Sequence, residues 1–229
     1  ESGADFNTIE DVIYRRRSVR AYKKRQVPEY LVRRVLEAGR FAPSAGNAQT
    51  WKFIVLRDPE LMAEMTEAVA AGCRKVSGIL DYLEPGREGR MWRARLAQRL
   101  MPNAFHPVPF GAIKLIAQGR LGLWHGAPTV ILILADRRSP GNPSLDVGIA
   151  GTNMVLTAHS FALGACWVSF VTLLAGSRKW KRRLGIEWPY KLITSIALGY
   201  PKGEPDGYVV RETQAIDWYE PGGRFKIVY

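Results

Sequence analysis

The side chains of Arg15-Arg16-Arg17-Ser18-Val19-Arg20 point most directly to chemistry. Guanidinium groups offer paired N–H donors that match the oxygens of a phosphate, and a serine hydroxyl adds one more donor. Several such groups within a few residues could grip a phosphomonoester. The same run also suits a solvated basic patch, because positive charge is favoured at a helix C-terminus and most charge runs face water. The second candidate is Pro43-Ser44-Ala45-Gly46-Asn47-Ala48-Gln49. Its small residues let backbone approach a planar ligand, while Ser44, Asn47 and Gln49 offer polar contacts. It reads equally as an ordinary helix-to-strand connection. A single helix joins the two candidates and could set both at one end of the fold.

Other chemistry-bearing residues are sparse. His106, His125 and His159 show no metal-ligand spacing, and His159 reads as a packed helix residue. The only cysteines, Cys73 and Cys166, form no C-x-x-C pair, so neither a zinc site nor a dithiol centre is expected. A reducing, cytoplasmic setting is the simpler expectation. Cys166 falls in an expected buried strand, where a thiol is inert by default. Gly119, Gly122 and Gly126 do not form G-x-G-x-x-G and follow no strand, so a Rossmann nucleotide site is not expected.

The elements that must position these residues follow from pattern. Thr8 to Asp11 resembles a capping box that opens a short helix burying Ile9, Val12 and Ile13 and ending near Arg15. A second helix starts at Pro28, with Leu31, Val32, Val35 and Leu36 on its apolar face and Gly39 as its stop. Trp51 to Leu56 reads as a strand. Asp58-Pro59 opens a helix that buries Leu61, Met62, Met65 and Val69. From Cys73 to Trp124 the pattern loosens, with a short basic helix expected over Met91 to Leu100. A stretch of about 50 residues without a core pattern suggests a lid or inserted arm. Pro128 to Leu134 reads as a central strand, Asp146 to Leu163 as a helix rich in small residues, Ala165 to Phe170 as a strand and Lys191 to Tyr200 as another. The tail from Gly223 to Tyr229 alternates like an edge strand with nothing local to pair with, which suggests exchange onto a second subunit.

The 229 residues are 47% hydrophobic and 24% charged, an ordinary globular composition that excludes disorder, collagen and coiled coil for the bulk of the chain. Helices and strands intermix without repeats or linkers, so one α+β domain over 1–229 is expected, with an insertion at about 73–124. No apolar run approaches the roughly 20 residues needed to span a bilayer. Glu1 to Asn7 is polar and lacks an apolar signal region, so export is not expected. Thirty-three Lys and Arg against 21 Asp and Glu give a net charge of +12. Such an excess attracts phosphates, whether on nucleic acid, on anionic lipid or on a small cofactor.

Arg16 to Arg20 (R-R-S-V-R), the helix from Pro28, and Ala42 to Trp51 (A-P-S-A-G-N-A-Q-T-W) together resemble the opening of the nitroreductase family of flavin enzymes. His125-Gly126-Ala127-Pro128, Ala162 to Trp167 and Ala197 to Pro201 are similar to later segments of that family in order and spacing. The resemblance implies a central, mainly antiparallel sheet flanked by helices, and an intertwined homodimer with FMN at the subunit interface. It places Arg16, Arg17, Ser18 and Arg20 on the FMN signature, with Arg16 and Ser18 at the phosphate. Arg20 would reach the pyrimidine edge, where negative charge builds on reduction. Pro43, Ser44, Ala45 and Asn47 match a loop lining the ring from the partner subunit. Val168 and Ser169 match a segment whose backbone faces flavin N5 and O4, and Arg211 matches a basic residue of the phosphate clamp. The family commonly has R-K-P near Arg211, where this chain has Val210-Arg211-Glu212-Thr213, and Thr50 replaces a usual proline.

The implied activity is ping-pong hydride transfer from NADH or NADPH through flavin N5 to a nitroaromatic, quinone or similar small acceptor. The flavin carries the chemistry, so no catalytic acid, base or nucleophile and no metal is expected. Related scaffolds also support reductive dehalogenation, flavin fragmentation and dehydrogenation. A basic nucleic-acid-binding protein is the alternative of another class. Between Arg74 and Arg120 there are nine Lys/Arg against three Asp/Glu, interleaved with Trp92, Phe105 and Phe110. That mixture also suits an anionic membrane surface, so peripheral membrane contact is a variant of the flavin reading. Nucleic acid is disfavoured because it gives no reason for the loop at Pro43 to Asn47.

Overall fold

The computed structural model describes residues 6–81, 99, 107–139, 141–203, 211–221 and 223–228. The expected basic helix at Met91 to Leu100, apart from Arg99, lies outside these residues. So do Trp92, Phe105, His106 and most of the expected insertion. The described elements fall into two units, one spanning 16–205 and one pairing the N-terminal helix with the C-terminal tail.

The larger unit is built on a four-stranded antiparallel sheet in the order β1-β2-β4-β3. The strands are β1 (Trp51–Leu56), β2 (Thr129–Asp136), β3 (Gly164–Trp167) and β4 (Tyr190–Gly199). Strand β2 lies between β1 and β4, pairing Phe53 with Ile133 on one side and Ile131 with Ile196 on the other. Helices cover both faces, so β2 reads as an unbroken apolar run rather than an alternating one. Val130, Leu132 and Leu134 pack with Met62, Met65 and Val69 of α3 (Pro59–Asp81) and with Ile116 of α4 (Pro107–Ala117). Ile131, Ile133 and Ala135 pack with Val32 and Val35 of α2 (Glu29–Arg40) and with Met154 and Ala158 of α5 (Pro143–Ser160). Successive side chains of a strand point to opposite faces, and that alternation divides the core in two.

Local chemistry moves several element ends from where the pattern put them. Helix α5 starts three residues before Asp146 because Asn142 caps it: its side chain accepts from the Ser144 and Leu145 amides at 3.2 Å, and Pro143 opens the first turn. Gly39 does not stop α2 but lies inside it, and a Cβ there would sit 2.8 Å from Met154 Cγ. It is a packing glycine that lets α2 approach α5. Gly151 does the same on α5, where a Cβ would fall 2.0 Å from the Trp167 ring. Strand β3 is shorter than expected and gives way to a 3-10 turn at Ser169–Leu174. Helix α3 runs past Cys73 to Asp81, and Leu123 and Trp124 belong to the core. A short basic helix, α6 (Arg178–Arg183), completes the unit.

In the second unit, helix α1 covers Phe6–Arg15, so Thr8 lies within it rather than capping it. Asp11 pairs with Arg15 one turn on, at 2.5 Å. Ile9 and Ile13 are 72% and 48% exposed, against the expectation that they are buried. Amphipathic spacing segregates an apolar stripe, but burial also needs a surface to cover it. The tail does find a local partner: β5 (Ala215–Glu220) and β6 (Gly223–Val228) form an antiparallel hairpin that pairs Trp218 with Phe225. The sequence reading missed β5 because Ala215 to Glu220 mixes apolar and acidic residues. Ile216, Trp218, Tyr219, Phe225 and Val228 remain exposed on it.

Leu132 is fully buried at the centre of the sheet. Leu132→Ala is expected to lower the free energy of unfolding by about 2–5 kcal/mol in urea titration. A loss well under ~1 kcal/mol would show that β2 is not the packed centre.

Candidate functional site

The arginine segment lies along the free edge of β3. Ser18 bridges to Ala165 in parallel, and the Val19 amide donates to the Ala165 carbonyl at 3.0 Å. The chain then passes the end of β4, where the Lys23 amide donates to Tyr200 and the Lys202 amide to Ala21, both at 2.9 Å. Tyr22 pins this crossing from the core. Its hydroxyl donates to the Val19 carbonyl at 2.6 Å and lies 3.3 Å from the Ala197 carbonyl.

Two glycines make that approach possible. A Cβ on Gly164 would lie 2.8 Å from Cβ and Cγ1 of Val19, and one on Gly199 would lie 2.9 Å from the Tyr22 ring. Both are closer than real Cβ contacts, so any side chain at either position pushes the segment off the sheet.

Extended backbone puts alternate residues on one side. Arg16, Ser18 and Arg20 accordingly share one side of the segment, close enough to Cys166 to act on its thiol, which itself donates to the Trp167 carbonyl at 3.5 Å. Burial pushes the Cys166 thiol above its ordinary range, outweighing these positive neighbours. Burial, then the Arg20 charge, holds His125 below the usual imidazole value. Burial, with a smaller contribution from Cys166, raises the Tyr22 phenol far above its ordinary value. Three titratable neighbours of Arg20 are therefore neutral near pH 7. Neither Arg16 nor Arg20 has a carboxylate partner among the described residues. Arg16 and Arg20 thus present positive charge that no described carboxylate pairs with. Beside it lies a pocket of about 270 Å³ whose walls include Arg16, Arg17, Val19, Leu163 and Ala165, with His159 from the last turn of α5.

The other candidate loop is placed elsewhere. Thr50 and Asp146 are both buried, with Thr50 Oγ1 3.5 Å from Asp146 Oδ2. A Cβ on Gly141 would fall 2.3 Å from Ala45 Cβ. The loop is thus seated at the N-terminal end of α5, while Arg16 and Arg17 stand with His159 at its C-terminal end. A helical rise of 1.5 Å per residue separates Asp146 from His159 by roughly 20 Å. The expectation that one helix sets both candidates at one end is wrong, because α2 carries the chain along the length of α5. Gly46, Asn47 and Gln49 adopt φ of 58°, 55° and 47°, a left-handed run that asparagine and glycine tolerate best. The Gln49 amide donates to Ser44 Oγ at 2.9 Å, which shapes the loop from within. Pro43 and Asn47 are exposed, and Ser44 and Ala45 half-buried.

Val168 donates its amide to Ser195 at 2.8 Å and accepts the Ser195 hydroxyl at 2.6 Å. Ser169 is the exposed member of that pair, with Oγ 3.4 Å from Thr194 Oγ1. Both follow Cys166 closely, after Trp167. Arg211 is exposed in the second unit. Cys166, His125 and Tyr22 were not expected as neighbours of the arginines. The only sequence signal was that Cys166 lies within an expected strand and His125 shortly precedes another.

The model described as "Nitroreductase family" matches residues 13–200. A protein of Archaeoglobus fulgidus, provisionally named an NADH dehydrogenase/NAD(P)H nitroreductase, is 26% identical over 92% of both chains. Nitroreductase NfnB of Mycolicibacterium smegmatis is 26% identical over 83% of this chain and 82% of its own length. Among solved structures, a nitroreductase with bound FMN from Desulfitobacterium hafniense superposes with a TM-score of 0.65 at 24% identity. That match covers 90% of this chain and 95% of the other.

Gly164→Ala is expected to destabilise the fold by about 1–3 kcal/mol and to speed hydrogen exchange at the Val19 amide. Unchanged protection there would contradict the close packing. His125 is held neutral in the fold, so the unfolded chain takes up its proton more readily. Its contribution to stability is complete above the ordinary value of 6.5 and is lost as pH falls below that towards the folded value. Asparagine tolerates the positive φ at this position. His125→Asn should therefore lose less stability between pH 7.5 and 5 than the wild type, and parallel losses would refute the assignment.

Proposed function

The chain belongs to the nitroreductase family, and from that premise we propose that it is an FMN-dependent oxidoreductase. It would draw hydride from NADH or NADPH and pass electrons to a nitroaromatic, a quinone or a similar small acceptor. The observation that carries this reading is the alignment of Arg16, Ser18 and Arg20 along the edge of β3, with no carboxylate partner for either arginine among the described residues. The names of the Archaeoglobus and Mycolicibacterium relatives, and the FMN in the Desulfitobacterium structure, support it.

The residues present fit FMN by their chemistry. Guanidinium groups and a hydroxyl suit a phosphomonoester and an electron-rich pyrimidine edge. Arg16, Arg17 and Ser18 would hold the phosphate. Arg20 would stand at the pyrimidine edge. Val168 and Ser169 would line the ring. When bound, FMN supplies the hydride and electron chemistry.

The protein's own part is electrostatic and positional. Arg20 keeps its full influence because Cys166, His125 and Tyr22 carry no compensating negative charge. A fixed cation favours whatever negative charge develops beside it, and does so without reorganisation. The loop at Pro43, Ser44, Ala45 and Asn47 would complete the pocket from a second copy. Two copies related by a two-fold axis, with their α5 helices antiparallel, bring the N-terminal end of one to the C-terminal end of the other. The homodimer is thus part of the proposal.

Purified protein supplied with FMN is expected to turn yellow and to bleach when NADH or NADPH is added anaerobically. Arg20→Gln should slow that bleaching or weaken FMN retention by about 10- to 100-fold, the range for loss of a charge-assisted hydrogen bond. A protein that takes up no FMN, or a variant equal to the wild type, would overturn the reading.

A further inference from the structure

A second basic surface stands apart from the arginine segment, on α6 and the strand ends that follow it. Trp180 is buried, and the Ser177 side chain caps the helix at its amide. Arg183 of α6 is held by Glu64 of α3 through both guanidinium nitrogens. With these anchors fixed, Arg178, Lys179 and Arg182 are exposed to solvent, and Lys181 is half-exposed. The chain continues directly: the Ile186 amide bonds to Lys181, and the Arg137 amide to Pro189 at 3.2 Å. That brings exposed Arg137 and Lys191 onto the same continuous stretch.

The acids nearby do not cancel this charge. Glu64 is occupied by Arg183, and Asp136 by Arg138 at 2.7 Å. Arg137, Arg178, Lys179, Lys181, Arg182 and Lys191 have no carboxylate partner among the described residues. On the same stretch is Trp188, 72% exposed, with the Arg137 guanidinium carbon 5.9 Å from its ring centroid.

We propose that this surface docks the protein on an anionic lipid bilayer, with Trp188 inserted at the headgroup level and the cations on the lipid phosphates and carboxylates. Tryptophan prefers the membrane–water interface, where its ring is half in apolar and half in polar surroundings. Clustered lysine and arginine add attraction to an anionic leaflet within a Debye length of it. A single indole makes no stacking platform for successive bases, and this favours lipid over single-stranded nucleic acid. No described helix is long and apolar enough to cross a membrane, so the contact is peripheral. It places the enzyme where apolar electron acceptors partition.

The test is co-sedimentation with phosphatidylcholine vesicles, with and without about 30% phosphatidylserine, at roughly 0.1 M salt. Binding to the anionic vesicles should exceed binding to the neutral ones by about tenfold or more, and should fall as salt is raised. The triple variant Arg178→Glu, Lys179→Glu, Arg182→Glu should lose about tenfold, and Trp188→Ser severalfold. Lys191→Glu alone should weaken binding in the same direction, should the triple variant fold poorly. Equal binding to both vesicle types, a triple variant that binds like the wild type, or tighter retention of a single-stranded oligonucleotide than of vesicles at the same salt would overturn the proposal.

Discussion

Positive charge on Arg16 and Arg20, fixed on a folded surface and paired with no carboxylate among the described residues, is the constraint around which the larger unit is arranged. Arg16 and Arg20 share the edge of β3 with a thiol, an imidazole and a phenol, and all three are kept neutral chiefly by burial. Desolvation disfavours the thiolate and phenolate that could have cancelled the guanidinium charge, and it disfavours the imidazolium that would have added to it. What remains is a fixed cationic edge that suits an anionic ligand. That is economical for an electron carrier with a phosphate at one end and a ring that gains electrons at the other.

The scaffold exists to hold that edge still. Val19 donates one backbone hydrogen bond to Ala165, Tyr22 spans from the segment to β4, and Gly164 and Gly199 leave no room for slack. Beneath them β2 is buried on both faces, so the platform is a double core rather than a single one. Helix α5 then sets the scale. Its 18 residues keep the loop at Ser44 to Asn47 away from the arginines of the same chain. A pocket that needs both must be shared between copies, and the proposed homodimer follows from helix length as much as from family likeness.

Much of this was legible in the sequence. Strand β1 falls on the expected residues, and β2, β4, α2 and α3 lie within a few of them, because their apolar periodicities are strong. The antiparallel α+β architecture was also read correctly. The failures have physical causes. Gly39 looked like a stop signal, but its purpose is contact with Met154, which no local pattern reveals. Ile9 and Ile13 have helical spacing, yet spacing does not say what will cover them. Strand β5 was missed because hairpin pairing with β6, not apolar alternation, defines it. In the site, the residue types of the arginine segment were readable. The neutral neighbours of Arg20 were not, because β3, the turn at His125 and Tyr22 meet only in three dimensions.

The cationic edge is tested most directly by comparing the affinities of FMN and riboflavin for the flavin-free protein, measured by fluorescence quenching at low and at moderate salt. The two ligands differ only by the phosphate. FMN binding at least about tenfold tighter than riboflavin, with an advantage that shrinks as salt is added, is the expected result. Equal affinities at both salt concentrations would mean that the arginines along β3 do not grip a phosphate, and the account would fail at its base.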